Sequence, residues 1–273
     1  MKRPAWRNPA RDHLRRAALL AALLVASASA WAEEPVSLTD DPVPVIGPNA
    51  TPPGEAQLSI GFGFERARDG RPRRTGLLEL GLEAGVAPGL EFRLNQSGEY
   101  GSPARSEGEK AEWGGMTQIG FRTEIAQESG AMPALGLLGQ LRAEYGPGPI
   151  AHEAEAVLLL GKSLGEGERP FQLYLNLGWT ARLDPIPGER PGRYLLAAAA
   201  GRAVTTDTAL VATYVREQQE QGERDLNLVG AGVRHRLGDG RTEIGFTAAA
   251  GLGRDSPAFQ LAFAVLWQLG GER

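Results

Sequence analysis

Ten charged residues stand at even intervals within successive short segments of this chain: Glu79 and Glu83, Glu91 and Arg93, Arg122 and Glu124, Arg142 and Glu144, Glu153 and Glu155. Carboxylates and guanidiniums so placed can pair across a narrow space, form a charged ring that selects ions, or supply acid–base catalysis. Two carboxylates at i and i+2 on a strand simply share a face, so Glu153 and Glu155 need no catalytic explanation. Mixed signs facing one another favour pairing. Because acids outnumber arginines in this set, an open pore lined by it would lean towards cations.

The other candidate chemistries fail on their own requirements. Acyl transfer needs a nucleophile, a histidine base and an orienting group. The only histidines are His13, His152 and His235. His152 lies beside Glu153 with no nucleophile motif nearby, and His235 sits in Val233-Arg234-His235-Arg236 without a serine in sequence reach. Gly161-Lys162-Ser163 resembles the end of a phosphate loop, but the position that must be glycine, five residues earlier, is Ala156. The absence of cysteine removes thiolate metal sites and disulfides alike. The expectation is a non-enzyme with no catalytic residue, no cofactor and no metal.

The elements that carry these charges alternate with period two, the periodicity of a strand. Leu58, Ile60, Phe62 and Phe64 face one way against Gln57, Ser59, Gly61 and Gly63. Leu78, Leu80, Leu82, Ala84 and Val86 oppose Glu79, Gly81, Glu83 and Gly85. After the tight Ala87-Pro88-Gly89 turn, Leu90, Phe92 and Leu94 oppose Glu91, Arg93 and Asn95. The same pattern runs through Ile119–Ile125, Leu135–Tyr145, Ala154–Leu160, Phe171–Trp179, Ile244–Leu252 and Phe259–Leu269. Segments 193–203 and 207–217 are alanine-rich and hard to phase, and residues 224–236 change phase midway, which predicts a bulge.

About twelve such segments, one face apolar and the other polar, predict an antiparallel transmembrane β-barrel with a polar lumen over residues 56–273. No apolar run is long enough for a spanning helix. Connections 66–75, 98–114, 183–192 and 217–224 are long, whereas 87–89, 203–207 and 237–241 are short, the asymmetry of outer-membrane barrels. Phe171 with Trp179, and Phe259 with Trp267, stand eight residues apart on one strand face. At about 3.3 Å per residue and a tilt of about 40° they rise roughly 20 Å, near the spacing of two aromatic girdles. A soluble sandwich would also alternate, but with its apolar face turned inward.

Residues 1–32 read as a signal peptide for Sec export: a basic start, the apolar stretch Ala17–Ala28 and an Ala30-Trp31-Ala32 cleavage site. They contain six of the 29 Lys and Arg and one of the 33 Asp and Glu. The remainder keeps 23 basic and 32 acidic side chains, a net charge of −9, which argues against nucleic acid as a partner. Residues 33–55 (EEPVSLTDDPVPVIGPNATPPGE) are too rich in proline for helix or central strand. They read as a periplasmic leader or a segment tucked into the barrel mouth.

The stretch Thr51-Pro-Pro-Gly-Glu-Ala-Gln-Leu58, entering a glycine-rich first strand, resembles the start of the barrel in the outer-membrane transporter family grouped with the phenol-degradation meta-pathway proteins. Thr39-Asp40-Asp41-Pro42 is similar to that family's leader, with Asp41 where arginine is usual, and Gly251-Leu252-Gly253-Arg254-Asp255-Ser256-Pro257 resembles its closing segment. One departure is the end of the chain, where Gln-Leu-Gly-Gly-Glu-Arg follows Trp267 in place of a final aromatic. The resemblance implies a barrel that passes small, often aromatic or hydrophobic, compounds and carries over no catalytic residue.

The expected protein is therefore a porin-like transporter of a Gram-negative cell outer membrane, a passive or weakly selective channel. The alternative is a non-conducting structural or surface-interaction barrel closed by ion pairs. Its expected partners are outer-membrane lipid, a small-molecule solute and the barrel assembly machinery.

Overall fold

Inward and outward side chains alternate along twelve strands that close on themselves. The computed structural model describes residues 35–68, 74–101, 112–146, 150–187, 189–219, 221–222, 224–253 and 256–270; the expected signal peptide lies outside them. The strands are β1 (Ala56–Arg66), β2 (Arg74–Ala87), β3 (Leu90–Gly101), β4 (Glu112–Ala126), β5 (Ala134–Tyr145), β6 (Ala151–Leu164), β7 (Phe171–Arg182), β8 (Gly192–Ala203), β9 (Thr208–Glu217), β10 (Leu226–Arg236), β11 (Thr242–Gly251) and β12 (Phe259–Leu269). Each pairs antiparallel with its sequence neighbours. Closure comes from β1 on β12, in register from Ala56↔Leu269 to Arg66↔Phe259. No sheet edge remains, the condition for spanning hydrocarbon with strands.

The two faces are inverted relative to a soluble protein. Phe62, Leu80, Phe121, Leu141, Leu177 and Phe263 are exposed on the outside, while Glu91, Arg122, Glu153 and Arg234 are buried inside. An apolar exterior that encircles the barrel has lipid as its matching solvent. This disposes of the soluble sandwich.

One end of the barrel carries the connections 88–89, 127–133, 165–170, 204–207 and 237–241, together with the chain's entry to β1. The other carries 67–73, 102–111, 146–150, 183–191, 218–225 and 252–258. The long–short asymmetry is present, though 127–133 and 165–170 are longer than the tight turn at Pro88-Gly89. At the short-turn end Glu128 ties two connections together. Its carboxylate accepts Lys162 Nζ at 2.7 Å and the Ser163 amide at 3.1 Å, so the phosphate-loop look-alike is a strand end latched to a turn.

Residues 35–51 run inside the barrel, and Pro52, Pro53 and Gly54 are exposed where the chain joins β1. The segment enters beside the β8–β9 turn, where the Val36 amide donates to Thr206 O at 3.1 Å. It turns back at Asp40–Gly47 and leaves along β2, where Pro53 bridges Gly85. Asp40 takes a left-handed backbone (φ 66°), which Asp tolerates better than most residues. Its amide donates to Val45 O at 2.8 Å, and its carbonyl accepts from Val43 N at 3.0 Å.

The inserted segment explains the two stretches that were hard to phase. Ala197, Ala199, Ala203, Ala209, Val211, Val215 and Leu228 point inward and pack on Val36, Leu38, Val43 and Val45. Over these positions β8 to β10 are thus apolar on both faces, outside for lipid and inside for the segment. The expected bulge in 224–236 is absent: β10 pairs without a register break with β9 and with β11. Its apparent phase change comes from Leu228 facing inward between the outward positions that Val229 continues. The register shifts fall instead at Gly85/Ala87 and Glu124/Ala126, both at the short-turn end.

Candidate functional site: a plugged lumen with two ionic clusters

The strand pleat points the charged residues into one interior, where they separate into two groups. Near the short-turn end, β2 to β4 bring Glu83, Glu91, Arg93 and Arg122 together. Arg93 pairs with Glu83, and Arg122 Nη2 lies 2.5 Å from Glu91 Oε2. From across the lumen β10 and β11 add Arg234, 2.9 Å from Glu243, and Arg236, 3.4 Å from the other oxygen of that carboxylate.

Asp40 of the inserted segment sits among them. Its Oδ1 is 3.1 Å from Arg122 Nη1 and 3.5 Å from Arg93 Nη1, and its carbonyl accepts from Arg234 Nη1 at 3.4 Å. Glu91, with none of its surface exposed, accepts both the amide and the hydroxyl of Thr51, at 2.8 and 2.7 Å.

Near the long-loop end the second group closes on the wall itself. Glu153, also wholly buried, accepts Arg182 at 2.9 Å and Arg193 at 2.5 Å. Arg182 also reaches Glu144 at 3.7 Å and Glu189 at 2.8 Å. Glu155 pairs with Arg142 at 2.5 Å and accepts from Gln140 and Thr180. Each of these contacts joins wall or loop residues, none of them in residues 35–55.

The remaining expected lumen residues are less engaged. Glu79 is half-buried opposite Gly61, and Glu124 lies beside the β4 register shift, opposite Gly136. Several residues of the site were outside the expected set: Asp40, Asn176, Arg182, Arg193, Arg234 and Glu243. Arg182 and Asn176 share the parity of Thr180 and could have been read from the alternation. Asp40 belongs to a stretch with no period and gave no such signal.

The inserted segment is held by its backbone as well as its side chains. Asn176, 2% exposed, donates to Ile46 O at 2.8 Å and accepts the Ile46 amide at 2.7 Å. Arg122 donates to Gly47 O at 3.1 Å, and Thr247 to Pro42 O at 3.2 Å. Ser59 donates to Asp41 Oδ2 at 3.0 Å.

Glycines on the inner wall make room for the segment. A Cβ at Gly245 would overlap Pro42, and one at Gly136 would stand 2.7 Å from Pro48 O. Beneath Ile46, Leu138, Val157 and Leu159 form a second apolar patch. Between segment and wall a polar cavity of about 160 Å³ remains, bordered by Asp40, Gln57, Glu83, Arg122, Arg234 and Glu243. At about 30 Å³ per water it holds a handful of waters.

On the outside, the four expected girdle residues point away from the lumen. Trp179 and Phe259 lie towards the long-loop end of their strands, Phe171 and Trp267 towards the short-turn end. Phe64 packs against Phe259 with ring centroids 5.8 Å apart. Tyr100 and Trp113, absent from the expected set, form another outward pair at 4.7 Å near the long-loop end.

The histidines are peripheral. His152 Nδ1 meets Asp184 Oδ2 at 2.9 Å on the exposed rim. His235 meets the Thr208 hydroxyl at 2.9 Å on the exposed outer wall. Among the described residues, no group of three or more metal-ligating side chains comes together.

The architecture is that of the outer-membrane β-barrels. The crystal structure of the COG4313 outer membrane channel from Pseudomonas putida F1 superposes with a TM-score of 0.58 at 13% identity, covering 85% of this chain and all of that one. The β domain of the Bordetella autotransporter BrkA gives 0.51 at 14% identity, covering 80% of this chain and all of that domain. No family model and no curated protein sequence matches.

Proposed function

We propose that this protein is an outer-membrane conduit for small molecules whose resting state is closed by its own residues 35–55. The observation that carries it is the make of the closure. A barrel that needed only to be solid could fill its lumen from the wall, as the Glu153 group does. Here the short-turn half is instead filled by a separate strand of chain, laid against wall glycines and held through Asp40, Ile46 and Thr51.

In this reading the short-turn end faces the periplasm and the long loops face outward, the usual asymmetry of outer-membrane barrels, with delivery by Sec export and insertion by the barrel assembly machinery. The apolar patches left by the segment, around Ala199, Val211, Leu138 and Leu159, suit solutes with an apolar body. This accords with the likeness of the leader to the transporters grouped with the phenol-degradation meta-pathway proteins. Carboxylates still exceed arginines on the inward wall once Arg182, Arg193, Arg234 and Arg236 are counted together with Glu65, Glu99, Glu217 and Glu243, so ions crossing an open pore would be mainly cations.

The second reading, a permanently closed barrel, draws on the same ion pairs and is separated by one experiment. Single-channel recordings compare the mature chain with a variant lacking residues 33–52. Rare or no steps from the first and discrete cation-selective steps from the second are expected. A silent deletion variant that has folded and inserted overturns the conduit.

A further inference from the structure

Whatever crosses the barrel, the contacts to residues 35–53 have the chemistry of peptide recognition. We propose that the short-turn half of the lumen is a receptor site for a looped polypeptide segment, and that residues 35–53 are its resident, exchangeable ligand. The partner that fits is a segment that arrives from the short-turn side, turns back on itself as Asp40–Gly47 does, and carries a carboxylate next to β-branched residues.

Three observations support this. First, the wall reads main chain, as peptide-recognition sites do. The Asn176 carboxamide takes both the amide and the carbonyl of Ile46, at 2.7 and 2.8 Å. Arg122, Arg234 and Thr247 take the carbonyls of Gly47, Asp40 and Pro42. A buried carboxamide with both functions spent on one residue's backbone has no equally good partner once that backbone leaves.

Second, side chains add selectivity: the Asp40 carboxylate lies between Arg93 and Arg122, and Val36, Leu38, Val43 and Val45 pack on the β8–β10 wall. Ile46 packs on Leu138, Val157 and Leu159, and Asp41 and Thr51 bond Ser59 and Glu91. Third, the covalent tie is slight. The segment joins β1 through Pro52, Pro53 and Gly54, which are exposed, and its own turn is closed by hydrogen bonds between Asp40, Val43 and Val45. The barrel strands pair fully without it. A chain held by backbone bonds, apolar packing and one ion-paired carboxylate, on strands that pair without it, can be replaced by another of the same chemistry.

The test cuts the tie and leaves the folded protein whole. A protease recognition sequence replaces Gly54-Glu55 in the mature chain, and the folded, detergent-solubilised protein is nicked there, with complete cleavage verified on a denaturing gel. Fluorescein-labelled peptide of residues 35–53 is then added and its binding followed by anisotropy. Saturable exchange is expected, competed by unlabelled peptide and not by a scrambled one. Asn176→Leu in the barrel and Asp40→Ala in the peptide should each weaken binding at least about tenfold, the scale of one or two lost charged or buried hydrogen bonds. Heat-modifiable migration on a cold gel confirms that the variant barrels are folded. A nicked segment that never leaves, or one that leaves and is not replaced by the labelled peptide, overturns the proposal. So does binding that the scrambled peptide matches. Conductance is not the readout, so this outcome is independent of whether the barrel is a conduit.

Discussion

Two buried ionic clusters occupy the same lumen, built from the same residue types, yet one is closed on the wall and the other is shared with the inserted segment. In the Glu153 cluster the carboxylates and arginines pair among strand residues and, with Glu189, an adjoining loop residue. In the Glu91 cluster one carboxylate oxygen, Oε2, accepts the amide and the hydroxyl of Thr51 together with Arg122, and Arg122 divides its nitrogens among Glu91, Asp40 and Gly47. The first cluster locks strand to strand and has no reason to change. The second is complete only while the segment is present. Buried pairs of this sort contribute little net stability against an apolar alternative, but removing one partner is costly. The cost therefore falls on the barrel in one cluster and on the closed state in the other.

The largest expected effect comes from a change that touches neither cluster. Gly245 faces Pro42 so closely that any Cβ overlaps it, while the strand pairing of Gly245 with Arg234 and Ala264 involves backbone alone. Gly245→Val should expel the segment from an intact barrel. Limited proteolysis should then cut within residues 35–50, and recordings should change from silent to stepping. A protected segment in the variant would mean that the wall yields instead.

Arg122→Ala is the next largest. It strips the segment of its contacts at Asp40 and Gly47 and leaves Glu91 buried beside Thr51. Loss of one member of a buried pair costs about 3–5 kcal/mol, and here much of it should fall on segment docking. Proteolytic release rates should rise by orders of magnitude while the unfolding midpoint of the barrel moves less. Equal shifts in both would erase the distinction between the clusters.

The barrel was legible in the sequence because lipid and lumen make opposite demands on successive residues, and period two records them directly. Leu78 to Val86 against Glu79 to Gly85 is the clearest instance. That legibility fails where the lumen itself becomes apolar. Ala197, Ala199 and Val211 face an inserted chain, so both faces of β8 and β9 look alike and the alternation vanishes. Leu228 misled for the same reason, suggesting a bulge in a regular strand. The inserted segment left no periodic trace of its own, because its conformation is dictated by the wall and its prolines exclude the regular elements. The small residues around it, Gly136 and Gly245 among them, were the available hint: inner-wall positions where a side chain was expected and space was needed instead.

Glu153→Gln tests the other side of the comparison. Arg182 and Arg193 lose the carboxylate they share, and the loss is borne by β6, β7 and β8. The barrel should be destabilised by about 3 kcal/mol, read as an earlier urea unfolding midpoint, with the residue 35–50 segment as protected as in the unaltered protein. Opening of the pore by this variant would show that the clusters are coupled through the wall.

The smallest effect is expected at a hydrogen-bonded pair outside both clusters, His152 with Asp184, which serves as the exposed reference. The Asp184 carboxyl is held below the usual carboxylate range, first by the His152 ring and then by the His152 amide, at 2.9 and 3.1 Å. A carboxyl with a depressed pKa stabilises the folded loop above its unfolded value and loses that contribution as the pH falls through the folded value. The window therefore lies below about pH 4. His152→Ala should raise the Asp184 pKa towards the ordinary range, measured by carboxyl carbon NMR, and leave both the unfolding midpoint and protection of the segment unchanged. The pair is exposed to solvent on both sides, where water screens what the lumen does not. A global loss of stability from this substitution would mean that the long-loop rim is part of the Glu153 lock.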